Sequence, residues 1–234
     1  MGDFEIKLAS DKLHNEFEEK RIVHVHHFLQ KQHLQRMQHE AESNISLMTS
    51  SYIPTHKKGK CLSYENIRKV APKCLEFYQS PIVADFVSKI VGEKVYQTPE
   101  MDQSSLSVLC YNTEGDHINW HYDHDFYYGR HFTVLLSLIN EKKSPELYPL
   151  AYGLSSCEFI YKENGKETVA STLANTLLIF EGDKVLHKAT PIKENELRVI
   201  LSMTYCTDPR ISLLKEAARR VKDTAFHGIS ALWK

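Results

Sequence analysis

The chain reads as an α+β domain in which helices come first and pack outside an antiparallel β-sandwich or barrel. Three observations carry that reading. Up to about residue 92 most of the stretches read as helices, with Pro81 and Gly92 placed as a helix start and stop. From Ser104 onward, short β-branched and apolar runs follow one another between turn residues. Asn164-Gly165, set between two such runs, is a hairpin signal.

Taken in order, residues 5–19 form a polar helix and Arg21 to His26 alternates as a short strand. Phe28-Leu29 leads into a helix over about 31–43, and the stretch from Asn44 to Lys60 is polar and irregular. A helix over about 64–79 follows, then one over about 82–91. Strands are expected at 105–111, 132–139, 158–161, 167–169 and 176–180, the last closed by Glu181-Gly182-Asp183. The final strand is 198–205. From about 211 to 224 the pattern returns to helix, with Leu213, Leu214, Ala217 and Val221 near helical spacing. Without repeats or a Pro/Gly-rich linker, 1–234 is expected to be one domain: a helical support over about 1–100, a β core over about 104–206 and a tail at 207–234.

The 234 residues are 42% hydrophobic, enough for one sizeable core, and the net charge of −1 gives no global pull toward nucleic acid or membrane. The chain has no apolar run of membrane-spanning length and its acidic, mixed start is unlike a signal peptide. Cys61, Cys74, Cys110, Cys157 and Cys206 are odd in number and widely spaced, which argues for reduced thiols in a cytoplasmic protein.

The chemistry-bearing pattern is His121-Tyr122-Asp123, followed downstream by His187. Two histidines and one aspartate can cover one face of an octahedral Fe(II) and leave the opposite face open. Residues two apart on a strand face the same side, so His121 and Asp123 can reach one ion, and His187 can return to it from another strand. Arg198 heads an apolar strand. A guanidinium buried there needs an anion, and it binds a carboxylate in bidentate fashion. Glu194 or Glu196 would be the internal alternative.

With these residues in view, the stretch from about 105 to 206 resembles the catalytic core of the Fe(II)/2-oxoglutarate-dependent dioxygenases, prolyl-hydroxylase-like branch. Tyr111 and a loop with Gly115 precede the HxD. Arg130, Thr133 and a Leu-rich strand ending in Asn140 follow it, and Leu177–Phe180, His187, Pro191 and Arg198 complete the pattern. Weaker likeness extends the match to about 20–206. The resemblance implies a double-stranded β-helix (jelly-roll, cupin-like) core with N-terminal supporting helices and a C-terminal helix. It implies His121, Asp123 and His187 as iron ligands and O2 as cosubstrate. It also implies Arg198, Tyr111 and Ser202 on 2-oxoglutarate, which is decarboxylated to succinate and CO2. Ser137 stands where the family often has a tyrosine on the same carboxylate. Ser155-Ser156 replaces a frequent Gly-Gly pair. Iron halogenases of the superfamily carry Gly or Ala in place of the aspartate, so Asp123 favours hydroxylation; desaturation and ring closure start from the same chemistry.

Trp120, Asp125, Tyr127 and Arg130 flank the HxD and are candidate substrate contacts, with a rim loop as the structural alternative. His124 and Asp125 lack the HxD spacing as ligands. His24, His26, His27, His33 and His39 read as solvated or hydrogen-bonded, and Lys57-Lys58-Gly59-Lys60 as a solvated loop or a lid. Arg219, Arg220 and Lys222 form a small basic face, and Phe226, Leu232 and Trp233 can dock the tail or cover the mouth. The favoured expectation is a hydroxylase acting on a small molecule such as an amino acid or a natural-product intermediate. Peptidyl or protein hydroxylation is the alternative enzyme reading, and a metal-free jelly-roll binding module the non-enzyme one. A nucleic-acid demethylase fits poorly, because the chain is not basic.

Overall fold

One antiparallel sheet curls back on itself to make the core. The structure, a computed structural model, describes residues 10–142 and 153–227. In chain order the helices are α1 (Ser10–Lys20), α2 (Lys31–Ser43), α3 (Tyr64–Val70), α4 (Pro72–Tyr78), α5 (Pro81–Val91) and α6 (Leu213–His227). The strands are β1 (Ile22–Val25), β2 (Thr49–Ile53), β3 (Lys57–Leu62), β4 (Tyr96–Gln97), β5 (Leu106–Tyr111), β6 (His117–His121), β7 (Tyr127–Lys142), β8 (Phe159–Glu163), β9 (Lys166–Ala170), β10 (Leu177–Glu181), β11 (His187–Ala189) and β12 (Glu196–Ile211).

The strand order is β1-β10-β7-β12-β5-β3-β6-β11-β8-β9, with β2 added to β3 and β4 to β12. β3 joins the two halves of the curl. Its Cys61 pairs with Leu109 of β5, whereas its Lys57 pairs with Ile118 of β6. The result is the double-stranded β-helix that the resemblance implies.

Helices cover the outer face of the β7–β12 half. α5 buries Val83, Phe86, Val87, Ile90 and Val91 in one cluster with Val134, Leu136, Val199, Leu201 and Met203. Pro81 opens α5 and Gly92 closes it at φ 75°, a left-handed conformation that suits glycine. At Asn164-Gly165 both residues take positive φ, 50° and 79°, as a tight β8–β9 hairpin requires.

Three stretches depart from the sequence reading. Residues 44–60 are not irregular: a short 3₁₀ turn at Ile45–Leu47 leads into the β2–β3 hairpin. The inward positions of β3 include Lys57 and Gly59, so no apolar alternation announces it. The helix expected over 64–79 is two helices, because Pro72 disfavours a helical residue before it and Ala71 sits at φ −135°, ψ 62°. β7 and β12 each run 16 residues, well past the apolar runs that revealed them. Part of the helix expected from residue 5, and Leu232 and Trp233, lie outside the described residues. No described helix is long and apolar enough to cross a membrane.

The β1–α2 connection is pinned from across the sheet. Asn175, at φ 67°, accepts from Leu29 N at 2.7 Å and donates to Leu29 O at 2.8 Å through its side chain. Asn175→Ala strands both buried backbone groups and places a Cβ-only residue in left-handed conformation. The expected loss is about 1–3 kcal/mol per unpaired group, read from the urea midpoint at constant m-value.

Candidate metal centre

β6 and β11 pair antiparallel with His187 directly opposite His121. Their rings lie 4.1 Å apart between centroids. His121 Nδ1 faces Asn119 O at 2.7 Å and His187 Nδ1 faces Val185 O at 2.9 Å. A carbonyl oxygen only accepts, so each Nδ1 is the donor and each Nε2 is left with its lone pair. Both Nε2 atoms point at Asp123 Oδ1, at 3.6 and 3.8 Å.

β6 ends at His121, so Asp123 is placed by contacts other than strand alternation. Its N–H donates to Gly182 O at 2.9 Å, and its Oδ2 accepts from Thr133 Oγ1 at 2.5 Å. Burial pushes the Asp123 carboxyl up, but the neighbouring His187 and His121 rings and the hydrogen bond from Thr133 outweigh it and hold the group well below the usual carboxylate range. Burial pushes the His187 imidazole down to about 4, with the Asp123 carboxylate pulling the other way. Phe159 and Phe180 pack on the His187 ring and exclude water from that side.

One carboxylate oxygen and two imidazole lone pairs thus converge with no proton between them, all within 4.8 Å of one another. Among the described residues this is the one cluster of three or more such groups able to hold a metal ion. Imidazole and carboxylate suit Fe(II), and the backbone carbonyls on Nδ1 fix the tautomer and orientation of each ring.

The cluster opens on a cavity of about 190 Å³. At its far end Arg198 is fully buried and stands in register with Tyr111 of β5. Its Nη1 donates to Cys157 O at 3.0 Å, while Nε is buried without a partner. Neither glutamate weighed as an internal counterion pairs with it: Glu196 accepts instead from Ser156 and Lys193. Burial pushes the Tyr111 phenol far up, with Cys157 adding to the effect and Arg198 opposing it, so the phenol remains a hydrogen-bond donor.

The cavity brings together His121, Asp123, His187, Arg198, Tyr111 and Ser202. It leaves out Ser137, whose hydroxyl donates to Thr172 O at 3.0 Å. It leaves out the four flanking candidates as well. The register shift between β6 and β11 turns Ile118 and His121 inward and Trp120 outward, where Lys162 and Lys188 stack on its ring at 5.1 and 4.4 Å. Asp125 Oδ1 accepts from Tyr127 N at 3.0 Å. Tyr127 donates its hydroxyl to Asp102 Oδ2 at 3.0 Å. Arg130 forms a fork onto Glu181, at 3.1 and 3.2 Å, and reaches Glu93 at 2.8 Å, tying β7 to β10 and to the end of α5.

Several wall residues had no signal in the sequence. Lys57, read as loop or lid, is a buried strand residue on the wall, and His56, His124 and His131 line it too. Of the basic face of the tail, Arg219 and Lys222 turn inward and Arg220 stays exposed on Glu216. Lys215 donates to Tyr127 O at 2.9 Å, Arg219 to Met101 O at 2.8 Å, and Lys222 to Asp102 Oδ1 at 2.9 Å and Ser104 Oγ at 3.0 Å. Residues 215, 219 and 222 share one helix face, so α6 is clasped along its length and sets Lys222 in the cavity wall.

Comparison with known proteins bears on the family and the fold. The family model described as Halogenase D matches residues 7–137. No curated protein sequence matches. Among solved structures, the non-haem α-ketoglutarate-dependent epimerase SnoN from nogalamycin biosynthesis superposes at a TM-score of 0.68, over 85% of this chain and 80% of its own, at 12% identity. A prolyl-4-hydroxylase from Pseudomonas putida gives 0.61 over 86% and 99%, at 14% identity. A prolyl hydroxylase from Trichoplax adhaerens, solved with a hypoxia inducible factor peptide, gives 0.65 over 89% and 91%, at 15% identity. At such identities the likeness is one of fold, and the fold is that of the 2-oxoglutarate-Fe(II) oxygenases.

The clasp can be tested apart from the metal. Asp102 is buried and Lys222 is 11% exposed at its side chain. Asp102→Ala leaves the ammonium uncompensated and is expected to cost about 3–5 kcal/mol in denaturant unfolding. Asp102→Ala with Lys222→Met is expected to recover most of that loss.

Proposed function

The chain belongs to the Halogenase D family, and within it we propose an Fe(II)- and 2-oxoglutarate-dependent oxygenase that hydroxylates a small molecule, such as an amino acid or a natural-product intermediate. The observation that carries this reading is the donor set: two Nε2 lone pairs and one carboxylate oxygen converge, with a buried, carboxylate-free arginine at the other end of the same cavity. His121, Asp123 and His187 would hold Fe(II). Bound there, Fe(II) with 2-oxoglutarate and O2 supplies the oxidising power for C–H hydroxylation, with succinate and CO2 as coproducts.

The chain's own residues do the rest. Arg198 anchors the distal carboxylate of 2-oxoglutarate through donors that no described carboxylate occupies. Tyr111, opposite Arg198 and protonated, is a second donor toward that carboxylate, and Ser202 lies on the same wall. Phe159 and Phe180 keep water from His187. Asp123 separates hydroxylation from halide transfer. Halogenases of this superfamily carry Gly or Ala at that position, whereas here the residue is an aspartate whose carboxylate would be a metal ligand. A cavity of about 190 Å³ with Lys222, Lys188 and His56 in its wall supports a small molecule over a peptide laid in an open groove.

The test is succinate formation by anaerobically Fe(II)-loaded protein given 2-oxoglutarate and then O2. Slow turnover without added substrate is expected, abolished in His187→Ala. Arg198→Ala is expected to raise the 2-oxoglutarate dissociation constant by about 30-fold or more, the equivalent of about 2 kcal/mol or more for a buried charge that loses its partner. Failure to bind either iron or 2-oxoglutarate would remove the enzyme reading in favour of a metal-free binding module. A screen of free amino acids for substrate-stimulated succinate release then identifies the acceptor.

A further inference from the structure

We propose that Thr133 is the positioning residue for the metal-binding carboxylate: its hydroxyl occupies Oδ2 of Asp123 so that Oδ1 alone is offered to the metal, and Gly182 leaves the space this arrangement needs. The inference rests on the reading of His121, Asp123 and His187 as metal ligands.

An ionised carboxylate has two equivalent oxygens and about four lone-pair sites. Free to rotate, it can bind a metal through either oxygen or both, and two-oxygen binding takes a position that a facial triad must keep open. Here the two oxygens have different partners. Oδ1 faces the imidazole Nε2 atoms at 3.6 and 3.8 Å, and Oδ2 accepts from Thr133 Oγ1 at 2.5 Å. Thr133 is well fixed for this role. It is buried in the middle of β7, paired with Phe180 on one side and Thr204 on the other, and its β-branched side chain has few rotamers.

Gly182 completes the cradle. A Cβ at this position would lie 2.7 Å from Thr133 Oγ1, 2.8 Å from Asp123 Oδ2 and 2.9 Å from Asp123 Cβ. Gly182 is not among the positive-φ glycines, so space, and not backbone conformation, requires glycine here. Its own backbone is held on both sides, donating to His131 O at 3.2 Å and accepting from Asp123 N at 2.9 Å. The carboxylate is therefore wedged between a hydroxyl and a bare backbone, and it cannot swing away to vacate its coordination position.

The measurement is metal binding, followed with Co(II) as an anaerobic spectroscopic probe and with Fe(II), in the full chain and in Thr133→Val, Thr133→Ser and Gly182→Ala. Thr133→Val keeps the shape and removes the donor. It is expected to weaken both metals by about 10–100-fold and to change the Co(II) absorption envelope, because the ligating carboxylate loses the hydrogen bond that orients it. Thr133→Ser, which restores the hydroxyl, is expected to recover the affinity and the spectrum. Gly182→Ala leaves Thr133 intact and is expected to weaken metal binding by crowding the same carboxylate. Circular dichroism confirms the fold of each variant. If the unmodified chain binds metal and Thr133→Val binds it equally tightly with an unchanged spectrum, or if Thr133→Ser fails to rescue, the positioning role is overturned while the function stands. If the unmodified chain binds neither metal, the ligand reading itself falls and this inference falls with it.

Discussion

Three lone pairs are aimed at one point, and much of the core serves to keep them there. Two imidazole nitrogens and a carboxylate oxygen repel one another unless a cation or a proton sits among them. The His121–His187 register across β6 and β11 supplies two of the three, with each ring oriented by a backbone carbonyl two residues before it in the chain. The third comes from a loop and needs β7 and the residue after β10 to hold it. Metal binding at such a site is coupled to folding, because the unfolded chain does not assemble the three donors. The helices stabilise the half of the sheet that carries Thr133 and Arg198, which is how the apolar cluster of α5 with β7 and β12 reaches the chemistry.

The sequence disclosed the donors more readily than their setting. An HxD and a distant histidine are residue types with a spacing, and the buried arginine at the head of an apolar strand contradicts its surroundings enough to be noticed. The helix bounded by Pro81 and Gly92 is equally legible, because those residues impose their backbone angles locally. Asp123 reaches the site by another route than strand alternation, which does not hold past the end of β6: Gly182 and Thr133 bring the carboxylate round. Trp120, Asp125, Tyr127 and Arg130 adjoin the motif in sequence, yet a register shift and three local hydrogen-bond systems turn them to other tasks. Lys57 and β3 were missed because a strand whose inward face carries a lysine and a glycine has no apolar period to read. Gly182 looked like a turn residue, and only the position of its absent Cβ shows what it makes room for.

The cavity holds cations of two kinds, and their partners tell them apart. Lys222 reaches the wall with Asp102 and Ser104 on its ammonium, and Tyr127 steadies the other oxygen of that carboxylate. Burial pushes Asp102 up, but Lys222 and the surrounding hydrogen bonds hold it below its ordinary range, so the pair is charged and closed on itself. Such a pair fixes geometry; it contributes little net attraction for a further anion. Arg198 is buried more deeply, with a carbonyl and a thiol on Nη1 and no ion pair to a described carboxylate. A guanidinium in that state is costly to keep unless an anion joins it. Glu196, two residues away, is committed to Ser156, so an anionic ligand from outside the chain suits this arginine better than an internal counterion. The same comparison applies at the other end, where Asp123 has one oxygen satisfied by Thr133 and one facing two lone pairs. Arg198 is suited to an anion and Asp123 to a cation, and under the proposed function 2-oxoglutarate together with Fe(II) would meet both.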